Sequence, residues 1–198
     1  MKHIVFVVGN YKNGGVPMRT TNLANEFSKQ LHSDLAIEDQ QTFTLNIMIN
    51  GDKYILKTSP TEKLVNILRD ELQLVGTKIS CGIGRCGACS VLIDGALINA
   101  CLVMAYQVNG KSITTIEGMG GVSLDEIQEA FLLEGGFQCG YCTPGMILAV
   151  KYLLSMQPNP TEADIKEALS GNLCRCTGYG GIIRAVQSLA NKHSKNIV

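Results

Sequence analysis

Eight cysteines fall into two spaced sets, Cys81-x4-Cys86-x2-Cys89-x11-Cys101 and Cys139-x2-Cys142-x31-Cys174-x-Cys176, with none left over. That is enough thiolate for two separate four-sulfur metal sites. In the first set three cysteines share one short loop and the fourth arrives from a distant element, the C-x4-C-x2-C…C spacing that holds a [2Fe–2S] cluster. In a reducing cytosol a chain this dense in cysteine is read as metal-binding rather than disulfide-bonded. Zinc would favour paired C-x2-C knuckles around a closed tetrahedral site, and Cys174-x-Cys176 is too tight for one. Free structural thiols belong inside apolar periodic segments, whereas most of these stand beside Gly, Pro and Thr.

A cluster held by four thiolates is net anionic and needs donors around it. In the first loop Gly82, Gly84 and Gly87 allow positive φ and turn main-chain N–H groups toward the sulfurs, and Arg85 adds a positive charge. In the second set Cys142-Thr143-Pro144-Gly145 and Cys176-Thr177-Gly178-Tyr179 each precede a predicted helix. A second cluster is therefore expected between two helix N-termini, whose dipoles and free N–H groups favour an anion.

The elements that must position these loops read clearly after residue 41. Phe43, Leu45, Ile47 and Ile49 alternate along a strand, Asn50-Gly51 makes a hairpin turn, and Tyr54 and Leu56 lie on the returning strand. Pro60 and Thr61 open a helix with Leu64, Val65, Leu68 and Leu72 on one stripe. After the cysteine loop, Val91-Leu92-Ile93, the turn Asp94-Gly95 and Leu97-Ile98 form a second hairpin that delivers Cys101. A short strand at 112–116 completes a β-grasp sheet. The texture changes to helices at Gly118–Gly121. Ser123 caps a helix with Leu124, Ile127, Phe131 and Leu132 inward, and Thr143-Pro144 caps and opens a second. Thr161 and Asp164 begin a third in capping-box spacing, ended by Gly171, and a fourth runs from Gly181 with Ile182, Ile183, Val186 and Leu189. The fold class expected is α+β: a β-grasp domain over 42–118 followed by an all-α four-helix bundle over 119–198.

Composition removes several function classes. Seventeen Lys and Arg balance 17 Asp and Glu, so no field recruits nucleic acid or an anionic membrane. The run Ile4–Val8 is too short for a secretory core or a membrane span, which makes a cytoplasmic protein the expectation. His3, His32 and His193 lie outside the cysteine motifs, and no nucleophile–base pair stands out, so no catalytic residue is assigned.

Three segments carry a resemblance: Gly76-Thr77-Lys78 leading into Cys81-Gly82-Ile83-Gly84-Arg85-Cys86-Gly87-Ala88-Cys89, then Gln138-Cys139-Gly140-Tyr141-Cys142-Thr143-Pro144-Gly145, then Gly171-Asn172-Leu173-Cys174-Arg175-Cys176-Thr177-Gly178-Tyr179. Over residues 42–191 the chain resembles the small iron–sulfur subunit of the molybdenum hydroxylases, the xanthine dehydrogenase and aldehyde oxidase family. Ser80, Ile83 and Ser90 stand where that family often has glycine, an acidic residue and threonine, departures that remove no ligand. The resemblance implies an electron-transfer subunit of an oxidoreductase. Electrons from a molybdopterin centre on a large partner subunit would pass through two [2Fe–2S] clusters to FAD on another subunit or to a further acceptor, the complex being xanthine dehydrogenase-like and acting on a purine or similar N-heterocycle, or a relative acting on an aldehyde, CO or nicotinate. It implies that Cys139, Cys142, Cys174 and Cys176 lie nearer molybdenum, that Cys81, Cys86, Cys89 and Cys101 face the flavin, and that Gln138 contacts the pterin. The alternative is a free-standing two-cluster ferredoxin or redox sensor, which would need only the β-grasp part.

Residues 1–41 lie outside this resemblance. Lys2–Leu31 reads as a strand, a Gly14-Gly15 turn and a helix, similar to the opening of a GT-B-type glycosyltransferase. One β-α piece cannot complete a nucleotide site and lacks G-x-G-x-x-G, so it is read as an extension, a vestigial fusion or a misassigned start.

Overall fold

The computed structural model describes residues 42–121 and 123–195. The expected strand, turn and helix of residues 2–31 lie outside the described residues, as do His3, His32 and the side chain of His193. Strands β1 (Phe43–Ile49) and β2 (Asp52–Thr58) pair antiparallel from Phe43↔Thr58 to Ile49↔Asp52. Asn50 (φ 54°) and Gly51 (φ 94°) make the left-handed turn that such a two-residue hairpin requires. Strands β3 (Ser90–Ile93), β4 (Ala96–Asn99) and β5 (Ser112–Thr114) complete one five-stranded sheet of order β2-β1-β5-β3-β4. It is mixed, because β5 runs parallel to β1 and antiparallel to β3.

Helix α1 comprises Leu64–Asn66 and a π-helical turn, Ile67–Glu71. It starts later than Pro60-Thr61 suggests because Lys63 is still extended and bridges Met104, while the Leu64 N–H donates to the Val103 carbonyl at 2.8 Å. Its Leu64, Val65, Ile67 and Leu68 pack with Leu45, Ile47, Ile49, Val91, Ile93 and Ile113 into one core.

Four helices follow: α2 (Glu126–Leu133), α3 (Thr143–Met156), α4 (Glu162–Leu169) and α5 (Gly180–Lys195). The expected Ser123 cap is replaced by Asp125, whose carboxylate accepts from the Ile127 N–H while Gln128 accepts from the Asp125 N–H. That reciprocal box starts the helix two residues later than a Ser123 cap would, turning Ile127, Ala130 and Phe131 inward and leaving Leu124 and Leu132 exposed. The expected Thr143 cap also moves by one: Cys142 is the capping position and Thr143 the first helical residue, ahead of Pro144. At α4 the predicted box is present, with Thr161 and Asp164 bonded reciprocally.

Helix α3 is buried almost all round, from Gly145 through Val150 and at Leu153, because it lies between the sheet and the other helices. Strand β3 joins the two halves. Val91 and Ile93 face the core beneath α1, whereas Leu92 belongs to the helical core with Phe131, Met146, Val150, Ile182 and Val186. Period-2 alternation thus feeds one strand into both cores, and Cys89, immediately before it, is buried in the core beneath α1. No helix among the described residues is long and apolar enough to cross a membrane.

Candidate metal centres

The loop ahead of β3 wraps its sulfurs in main-chain donors. Gly82, Gly84 and Gly87 all adopt positive φ, at 65°, 76° and 68°. The N–H groups of Ile83 and Arg85 donate to Cys81 Sγ at 3.5 and 3.2 Å, and that of Gly84 to Cys101 Sγ at 3.2 Å. Those N–H groups, Ile83 before Arg85, hold the Cys81 thiol down at about 6, so it ionises readily. Cys89 and Cys101 are buried, and burial pushes the Cys89 thiol up to about 12. Asn99 braces the loop from β4: its amide donates to the Gly84 carbonyl at 3.0 Å and its oxygen accepts from the Ser90 hydroxyl at 3.2 Å.

The second set draws on side chains as much as on main chain. Thr177 donates to Cys174 Sγ from its hydroxyl at 3.1 Å and its N–H at 3.5 Å. Burial raises the Cys174 thiol, but these donors outweigh it and the net shift is downward. Cys142, at the start of α3, is pushed up to about 12 by burial and by Cys174 beside it. Cys139 and Cys176 are exposed, with sulfurs 3.7 Å apart, and the contact with Cys139 raises the Cys176 thiol. The picture of two equivalent helix N-termini is therefore half met. Cys142 caps α3, but Thr177, Gly178 and Tyr179 separate Cys176 from the first residue of α5. Gln138 is exposed next to Cys139.

Each thiol is met by thiols of its own set: Cys81 by Cys86, Cys89 by Cys101 and Cys86, Cys142 by Cys174 and Cys139, and Cys176 by Cys139 and Cys174. Among the described residues no three His, Cys, Asp or Glu side chains converge as ligands of a single ion would. Four thiols to a set fit a binuclear centre, in which each iron takes two of four thiolates. A cavity of about 650 Å³ is lined by Cys139, Cys142, Cys174 and Cys176, and Cys86 of the first set lines it as well.

Two tyrosines brace the cysteine loops in ways the sequence alone does not announce. Tyr141 donates to the Ile79 carbonyl at 2.5 Å, and Tyr179 accepts from the Cys174 N–H at 2.8 Å while donating to the Asn172 carbonyl at 3.0 Å. Each stands within a few residues of a cysteine, which was the available signal; the partner of Tyr141 lies 62 positions away, in a loop whose proximity only the fold reveals, whereas Tyr179 closes its own segment.

Comparison with known proteins places this geometry in a family. Residues 47–107 match the 2Fe-2S iron-sulfur cluster binding domain, and residues 115–187 match a second family described as a [2Fe-2S] binding domain. A probable xanthine dehydrogenase subunit from Bacillus subtilis is 63% identical over 137 residues, covering 69% of this chain and 79% of that protein. The nicotinate dehydrogenase small FeS subunit of Eubacterium barkeri is 44% identical over 147 residues, 73% of this chain and 92% of its own length. Among solved structures, the quinoline 2-oxidoreductase of Pseudomonas putida 86 contains a chain that matches with a TM-score of 0.74 at 39% identity, over 80% of this chain and 99% of that one. The mixed sheet and the helices after it correspond to a ferredoxin-like domain and a helical domain.

Proposed function

Because this chain belongs to the iron–sulfur subunits of the molybdenum hydroxylases, the family of xanthine dehydrogenase and aldehyde oxidoreductase, we propose that Cys81, Cys86, Cys89 and Cys101 hold one [2Fe–2S] cluster and Cys139, Cys142, Cys174 and Cys176 the other. Its role is electron transfer within an oxidoreductase complex. Each cluster, when bound, accepts and releases one electron. The protein supplies thiolates and the donors that stabilise negative charge: the N–H groups of Ile83, Gly84 and Arg85 at the first site, and Thr177 at the second. The observation that carries the ligand assignment is the gathering of the eight thiols into two groups of four, each thiol facing others of its own set.

In this reading the four helices form a bundle domain over 119–198, beside a β-grasp domain over 42–118, and residues 1–41 are an extension to both. The partners are a large molybdopterin-binding subunit and an FAD-binding subunit, in the cytoplasm. Cys139 and Cys176, both exposed, face the molybdopterin side, where Gln138 contacts the pterin. The buried pair Cys89 and Cys101 belongs to the site nearer the flavin. Similarity to a xanthine dehydrogenase subunit favours a purine or related N-heterocycle as the substrate of the complex. Affinity purification of the full chain from cells that express its neighbouring genes tests the assembly: a molybdenum-containing large subunit should co-purify, and recovery of this chain alone with both clusters would favour a free-standing carrier.

A further inference from the structure

Cys86 and Gly87 are met from the opposite side by the segment that carries Cys174 and Cys176. The Leu173 N–H donates to the Cys86 carbonyl at 2.9 Å. Asn172, only 4% exposed, sends its amide Nδ2 to the Gly87 carbonyl at 3.1 Å and to the Ser90 hydroxyl oxygen at 3.3 Å. Its main-chain carbonyl accepts from Tyr179, whose oxygen in turn accepts from the Cys174 N–H. One residue is thus bonded toward both cysteine sites.

The packing around these bonds leaves no slack. A Cβ at Gly145, in the first turn of α3, would collide with the Gly87 carbonyl oxygen. A Cβ at Gly87 would collide with the Asn172 amide and the Gly171 carbonyl, besides being strained at φ 68°. The chemistry of the spot also selects asparagine. Two acceptor oxygens must be reached by one buried neutral group, and an amide NH₂ has two donors, whereas a carboxylate would set acceptor against acceptor.

We propose that Asn172 is a positioning residue that sets the separation of the two cysteine sites and so governs electron passage between them. It holds Leu173 on Cys86, and the route from the Cys86 sulfur to the Cys174 sulfur is then the main chain of adjoining residues interrupted by one hydrogen bond. This rests on the ligand assignment proposed above.

The test uses the full chain with its clusters assembled, in the variants Asn172→Leu and Gly145→Ala. Leucine keeps a branched side chain and removes both donors. Alanine is the better helix former, so a purely local view of α3 expects no harm from it. In both variants the Leu173 amide should exchange with solvent on the order of fivefold faster, the change one hydrogen bond makes. The magnetic interaction between the two reduced centres, read as splitting of their paramagnetic signals, should weaken. Unchanged Leu173 exchange, or an unchanged splitting, overturns the proposal. If Asn172→Leu loses iron, Gly145→Ala, which removes no donor, decides between these outcomes by the same two readings. Absence of any splitting in the parent protein would instead overturn the ligand assignment, while the exchange rates would still judge the latch.

Discussion

The two cysteine sites solve one electrostatic problem by different means. The first turns main-chain N–H groups onto its sulfurs through positive-φ glycines and buries Cys89 and Cys101 against the sheet core. The second keeps Cys139 and Cys176 exposed and draws its donors from Thr177 and from the segment before α5. A site built on backbone conformation is sensitive to what a glycine becomes, whereas a site built on side-chain donors is sensitive to losing a hydroxyl. Burial adds a second contrast, since a buried ligand is also part of the packing that holds its domain together.

The largest effect should come from the ligands. Cys142→Ser is expected to abolish one of two paramagnetic signals after reduction, leaving the other intact, and Cys86→Ser should do the converse. Survival of both signals in either variant would break the division into two sets. Metal binding and folding are coupled where ligand loops are rich in glycine, so each loss should also lower the protection of its own loop from proteolysis.

Much of the first site was legible because its determinants are local. Spacing places three thiols on one loop, Gly82, Gly84 and Gly87 announce positive φ, and Asp94-Gly95 turns the hairpin that returns Cys101. The helical half was less legible at its caps. Asp125 took the capping position expected of Ser123, with Gln128 reciprocating its bond. At α3 the helix starts on Thr143 itself, so the role expected of its hydroxyl passed to a cysteine with no side-chain cap bond. The Asn172 contacts were invisible for another reason: they join residues 85 and 82 positions apart, and no periodicity encodes a long-range approach of two loops.

A smaller change should sharpen the contrast at the first site. In Gly84→Val a Cβ would run into the Leu102 side chain, and a β-branched residue at φ 76° is strained by about 2 kcal/mol. The expected outcome is faster chelator-driven iron loss from the first site and an unchanged second signal. Equal iron loss from both sites would mean that the loops share one stability unit.

At the second site Thr177→Val should leave the iron in place and move a potential. The reduced centre carries more negative charge than the oxidised one, so a hydroxyl donated to Cys174 Sγ stabilises the reduced state more. Removing it should lower the midpoint of the second signal in a redox titration, with Thr177→Ser restoring it and the first signal unmoved. A rise in the midpoint would contradict the sign of the argument.

The smallest effect is expected far from either site. Thr161→Ala removes the hydroxyl that accepts from the Asp164 N–H at the start of α4 and should cost about 1 kcal/mol of unfolding free energy. Asp164 adds a pH dependence with a definite sign. The Thr161 hydroxyl and N–H hold its carboxyl below the ordinary carboxylate range, so the stabilisation is full above the unfolded-state value and disappears as pH falls through the folded one. In Thr161→Ala that acid-side loss should shrink while both paramagnetic signals keep their positions. A shift in the second signal would show that α4 is coupled to the cysteines through more than the shared core.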